Sequence, residues 1–253
     1  MRTLIVLAHP EAKSFNAQLK DVAVETLENA GHRVEVSDLY ALGFDPVEGP
    51  EHFTEMKQPD WFSAQTEQRH AWEQGKTGAD VRAEADKLER ADFLLFQYPM
   101  WWFSMPAILK GWLDRVLVYG GLYTSRMRYD EGYFTGRRAM ISVTTGGPEA
   151  TFAHNGRNGD IDLLLWPMNF ALHYMGYGVL PPFVAYGIEG GLKYSNPDSI
   201  PGRLQGYKEA LAARLGALDE AEPLKFNGWD DWDEDGRLKP GVPGYSPFMR
   251  GQP

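Results

Sequence analysis

The sequence contains no cysteine. That absence removes disulfides, thiolate nucleophiles and cysteine-held zinc or iron–sulfur centres, so any redox chemistry has to be carried by a bound cofactor. Cations are also scarce: 25 Lys and Arg stand against 35 Asp and Glu, a formal charge of −10. A surface for nucleic acid or anionic lipid needs the reverse balance, and a bound phosphate would have to rely on local backbone donors. No apolar run approaches the roughly 20 residues that cross a bilayer. The run from Leu4 to Ala8 is too short for a secretory signal and lacks a small-residue cleavage site after it, so it reads as the first strand of a cytoplasmic protein. Neither the dinucleotide-binding nor the Walker glycine pattern occurs, so any phosphate site is of another kind. No metal is expected either. Asp231-Trp232-Asp233-Glu234-Asp235-Gly236 opens like a calcium loop, but Val242 stands where the bidentate Glu belongs and Pro240 forbids the exit helix.

What remains is an ordinary globular composition, 43% hydrophobic and 24% charged over 253 residues, enough for one large α/β domain. Residues 1–220 are expected to form it. Residues 221–253, rich in Pro and Gly with scattered aromatics, are expected to form an irregular tail on its surface or on a partner subunit.

The organising stretch is Phe93-Leu94-Leu95-Phe96, an apolar run bounded by Asp92 and Pro99, which reads as a central parallel strand buried on both faces. It runs into Pro99-Met100-Trp101-Trp102-Phe103, after which Pro106 opens a helix with Ile108, Leu109, Trp112, Leu113 and Val116 at helical spacing. Strand, loop, helix is how α/β proteins present a site at the carboxyl edge of the sheet. Aromatics often fill cores, but three sequence neighbours on a loop cannot all point one way, so at least one is expected to face a flat ligand.

Two other strand ends carry ligand-friendly residues. Between the strand Thr3 to Ala8 and a helix from Phe15 to Gly31, Ser14 reads as an N-cap; the same turn offers an anion free N–H groups and the positive helix end, with Lys13 and Asn16 beside it. The strand Arg138 to Thr144 ends in Thr144-Thr145-Gly146-Gly147-Pro148, either an ordinary turn or a place where backbone approaches a ligand closely. Arg33 to Ser37 reads as an edge strand, Asp38 to Gly78 as a long excursion with short helices, and Ala79 to Arg90 as a helix. A helix lies within Asp160 to Met175, a last strand spans Val179 to Ile188, and a final helix spans Gly202 to Leu218.

Together, His9 with Ser14-Phe15-Asn16, Phe96-Gln97-Tyr98-Pro99 with Trp102-Phe103, Pro106-Ala107-Ile108-Leu109-Lys110-Gly111-Trp112, Thr144-Thr145-Gly146-Gly147 and Leu165-Trp166-Pro167 resemble the NAD(P)H:quinone oxidoreductases of the DT-diaphorase type. The likeness runs from about Leu4 to Gly178. It implies a flavodoxin-like, doubly wound, five-stranded parallel sheet in the order 2-1-3-4-5, with flavin at the switch point between strands one and three. It further implies FAD in preference to FMN, with NAD(P)H and quinone using one open face in turn, and a homodimer. By similarity, His9, Lys13, Ser14, Phe15 and Asn16 would surround the pyrophosphate. Pro99, Met100, Trp101, Trp102 and Phe103 would line one side of the flavin ring, with Thr144, Thr145, Gly146, Gly147 and Phe152 at its pyrimidine edge. Phe103, Gly146 and Gly147 would also meet the substrate, whose pocket Tyr123 and Tyr174 would close from the second subunit.

The sequence departs from the family where well-known members place a Tyr and a His after the Gly-Gly turn: here the residues are Phe152 and Asn158. Asn158 stands at the catalytic position without a titratable proton; His154, two residues past Phe152, is either a substitute or a solvent-facing loop residue. A second function remains open at this point, a flavin-binding ancillary subunit of a potassium-efflux system. An electron-carrier flavodoxin is disfavoured, because Ser14-Phe15-Asn16 replaces the hydroxyl-rich phosphate loop.

Overall fold

The structure, a computed structural model, describes residues 1–188 and 197–249. Strand β1 (Arg2–Leu7) lies between the edge strand β2 (Arg33–Asp38) and the central β3 (Phe93–Pro99), which pairs in turn with β4 (Arg138–Thr144); all are parallel. Every residue of β3 is buried, as its uninterrupted apolar run requires of a strand covered on both faces. Alternation along the strands divides the core in two. Leu4, Val6, Leu94, Phe96, Ile141 and Val143 face the helices α3 (Ala79–Arg90), α4 (Ala107–Val116) and α5 (Ile161–Tyr174); Ile5, Phe93, Leu95 and Met140 face α1 (Phe15–Asn29) and α6 (Ile200–Gly216).

The last strand differs from expectation. Pro181 and Pro182 interrupt it, since proline has no N–H to give a sheet ladder, and it splits into β5 (Gly178–Val179) and β6 (Phe183–Ala185), which pair with opposite ends of β4. The order along the sheet is β2-β1-β3-β4-β5, with β6 also against β4, so the expected topology stands with its fifth strand broken. The final helix starts at Ile200, two residues before the expected Gly202, and the connection at 189–196 lies outside the described residues.

The excursion over residues 38–78 contains a 3-10 turn, Pro50–His52, and α2 (Ala64–Glu73). Polar groups pin it to α4. Arg115, 2% exposed, donates to Asp45 O at 2.8 Å and to the Asp80 carboxylate at 2.7 Å, and Gln68 donates to Asp114 O at 2.9 Å. Gly111 has to be glycine, because a Cβ there would sit 2.1 Å from Pro46 O. The tail lies on its own chain: Leu224 N–H donates to Val179 O, and Phe226 stacks on His173 with ring centroids 4.3 Å apart. Among the described residues no helix is long and apolar enough to cross a membrane.

Candidate functional site

Three strand ends meet at the carboxyl edge, where the chain leaves β1 for one face of the sheet and β3 for the other. A cleft of about 380 Å³ opens there. Of the residues expected at the site, His9, Ser14, Phe15, Asn16, Pro99, Trp101 and Thr144 line it.

At the end of β1, His9 Nδ1 accepts the Glu11 N–H at 3.0 Å, which places the ring proton on Nε2. Burial pushes the His9 pKa below its ordinary value of 6.5, so the ring is a neutral donor. Ser14 is the N-cap of α1: its Oγ accepts from Ala17 N–H at 3.1 Å. Cap and anion site coexist, since the cap uses one lone pair and leaves the hydroxyl proton and the N–H groups of Phe15 and Asn16 without acceptors among the described residues. Lys13 is exposed and outside the cleft lining.

Asn16 is locked beneath the cleft. Its Nδ2 donates to Thr144 Oγ1 at 2.9 Å, and its Oδ1 accepts from Gln97 Nε2 at 2.8 Å. Met100 N–H donates to Thr144 O, while its side chain packs against the core and does not line the cleft.

Trp101 and Ser104 exchange both backbone hydrogen bonds, at 2.9 and 3.0 Å, around Trp102 (φ 51°) and Phe103 (φ 60°). This is a two-residue turn with positive φ at both central positions, ordinarily the place of Asn-Gly. Bulky residues there cost about 1–3 kcal/mol each. They gain little by burial in return, since Trp102 is 95% and Phe103 52% exposed. The core alternative for these aromatics is thereby removed.

At the end of β4, Thr145 Oγ1 donates to Gly147 O, which also accepts from Gly187 N–H at 2.9 Å. The N–H groups of Gly146 and Gly147 have no acceptor among the described residues. Gly147 cannot carry a side chain: a Cβ would lie 2.9 Å from both Asn158 Nδ2 and Thr151 Oγ1. Asn158 therefore does stand beside the Gly-Gly turn, with its amide donating to Thr151 Oγ1 at 2.9 Å. Phe152 is buried against Tyr186, whereas His154 is exposed.

Tyr123 and Tyr174 lie outside the cleft lining, their rings edge-on at 5.8 Å in a separate aromatic cluster with Tyr119 and Tyr129. Sequence reasoning placed Gln97 within a motif but gave it no role, and it missed Gln18, Ile188 and Leu204, which the fold brings to the cleft. The helix-end donors suit a phosphate and the exposed aromatic turn suits a flat ring, so the residues present fit a flavin.

The chain matches the flavodoxin-like fold family over residues 1–211. It is 42% identical to NAD(P)H dehydrogenase [quinone] 1 of Cavia porcellus over 227 residues, 89% of this chain and 80% of that one. It is also 42% identical to the human ribosyldihydronicotinamide dehydrogenase [quinone] over 225 residues, 88% of this chain and 94% of that one. The crystal structure of a candidate quinone reductase from Klebsiella pneumoniae superposes with a TM-score of 0.88 at 36% identity, covering 98% of each chain. With its sheet order, switch-point cleft and this degree of identity, the chain belongs to the flavodoxin-like family of NAD(P)H:quinone oxidoreductases.

Proposed function

We infer that the chain is an NAD(P)H dehydrogenase acting on quinones through a bound flavin. The observation that carries this is the switch-point cleft, lined by the helix-end residues Ser14, Phe15 and Asn16 together with Trp101, which leads into the exposed Trp102-Phe103 turn. The ancillary-subunit reading is not favoured, because the relatives above are named as dehydrogenases.

When bound, the flavin supplies the two-electron hydride chemistry that links NAD(P)H to quinone. The chain's own residues bind, orient and shield. The N–H groups of Phe15 and Asn16, the Ser14 hydroxyl and His9 Nε2–H would hold the pyrophosphate. The resemblance of His9 to Asn16 to the DT-diaphorase type favours FAD over FMN as the cofactor. The N–H groups of Gly146 and Gly147, unpaired among the described residues, would be available to the pyrimidine edge, where flavin reduction would build negative charge. Trp102 and Phe103 would wall the ring and keep water from its reactive face. Neither Asn158 nor Phe152 carries a proton for that charge at neutral pH, so backbone donors bear the electrostatic task alone.

The enzyme works as a homodimer, in which Tyr123 and Tyr174 close the acceptor pocket of the other subunit. That neither tyrosine is among the residues lining the chain's own cleft supports this. Heat release of the flavin, chromatography and a turnover assay test the reading: FAD with NAD(P)H-dependent quinone reduction is expected, whereas FMN alone overturns the cofactor assignment.

A further inference from the structure

Among the described residues the C-terminal tail takes no part in the cleft lining, yet it reaches Tyr174 through a continuous set of contacts. Gly228 approaches Asp130 so closely that a Cβ would lie 2.7 Å from Asp130 Oδ2, and Trp229 N–H donates to Asp130 Oδ1 at 2.9 Å. The indole Nε1–H of Trp229 donates to Arg128 O at 3.0 Å. The Arg128 guanidinium stands 4.8 Å from the Trp229 ring and 5.5 Å from the Tyr174 ring, and its Nη1 donates to Tyr174 Oη at 3.1 Å. Tyr129 completes the cluster, with φ 57° and its ring edge-on to Tyr174 and Trp229 at 5.1 Å each. A tyrosine in left-handed backbone persists only where its surroundings hold it there.

A phenol oxygen that accepts from a guanidinium keeps its own proton to donate, and the contact with the cation strengthens that donation. We propose that Arg128 and Trp229 are positioning residues that hold the Tyr174 hydroxyl as a hydrogen-bond donor to a carbonyl oxygen of the acceptor. The inference rests on the reading that Tyr174 borders the acceptor pocket. It gives the tail a function: Trp229 fixes the 128–130 segment, that segment fixes Arg128, and Arg128 fixes the Tyr174 hydroxyl. The substrates so recognised are planar carbonyl compounds, and acceptors without a carbonyl gain nothing from the arrangement.

The test compares p-benzoquinone with ferricyanide, which has no carbonyl, on flavin-loaded Tyr174→Phe, Arg128→Met and Trp229→Ala. Each substitution is expected to raise the quinone KM about fivefold, the loss of one hydrogen bond, while Arg128→Met and Trp229→Ala leave the ferricyanide KM and flavin content unchanged. Trp229→Phe, which removes only the indole donor, is expected to raise it by less than Trp229→Ala. Adding Arg128→Met to Tyr174→Phe is expected to change nothing further, because the two residues act as one unit. A raised quinone KM in Tyr174→Phe alone, with Arg128→Met and Trp229→Ala unaffected, overturns the positioning role. Equal effects on both acceptors show a structural role and overturn it as well. An unchanged quinone KM in Tyr174→Ala overturns the pocket reading itself, and the inference with it.

Discussion

Asn16 Nδ2 donates to Thr144 Oγ1 over 2.9 Å, joining the first turn of α1 to the end of β4 across 128 residues of sequence. With Gln97 donating to Asn16 Oδ1, this places one residue from each converging segment in a single buried chain of hydrogen bonds. The cleft floor is thus set before any ligand arrives, which is the physical meaning of preorganisation.

Asn16→Ala strands the Gln97 amide and the Thr144 hydroxyl at buried positions. The apoprotein is expected to lose about 1–3 kcal/mol in urea unfolding, the cost of leaving such groups unpaired. FAD titrations should show affinity weakened by about tenfold, one hydrogen-bond-scale loss. Unaltered stability and unaltered affinity together would show that the Asn16 link does not support the site.

The strained turn gives an opposite pairing of stability and activity. Replacing Trp102-Phe103 by Asn-Gly supplies the residues that positive φ favours, so the melting temperature is expected to rise, reflecting relief of about 1–2 kcal/mol per residue. Quinone turnover per folded molecule should fall steeply, because the aromatic wall is gone. A protein that melts lower would mean the two rings contribute to packing despite their exposure.

Much of this architecture was legible in the sequence, and the failures have physical reasons. The central strand, the helix Ala79–Arg90 and the strand Arg138–Thr144 announced themselves by pattern, because a buried strand and an amphipathic helix each impose a periodicity. Pro181 and Pro182 break the last strand, since neither has an N–H to give the sheet ladder. Gln18 and Leu204 carry no local signature, since their place depends on how distant segments meet. The φ values of Trp102 and Phe103 run against turn statistics, and such violations gather at functional sites.

The pH dependence of flavin reduction follows from which groups can titrate. Asn158 cannot, and burial pushes His9 below its ordinary 6.5, so its neutral form predominates at neutral pH and above. Stopped-flow reduction by NAD(P)H is therefore expected to be flat between about pH 6.5 and 8, with His154→Ala indistinguishable from the parent. Asn158→His should introduce an inflection near roughly pH 6.5. An inflection in the parent that vanishes in His154→Ala would hand the role to His154; none in Asn158→His would place residue 158 away from the reacting edge.

The central claim is that one cleft serves donor and acceptor in turn through a flavin held at the switch point. Initial rates at several fixed p-benzoquinone concentrations, with NAD(P)H varied, test it most directly. The account predicts parallel double-reciprocal lines, as substrates alternating at one site give. Lines that intersect, or the absence of turnover by flavin-loaded protein, would contradict it.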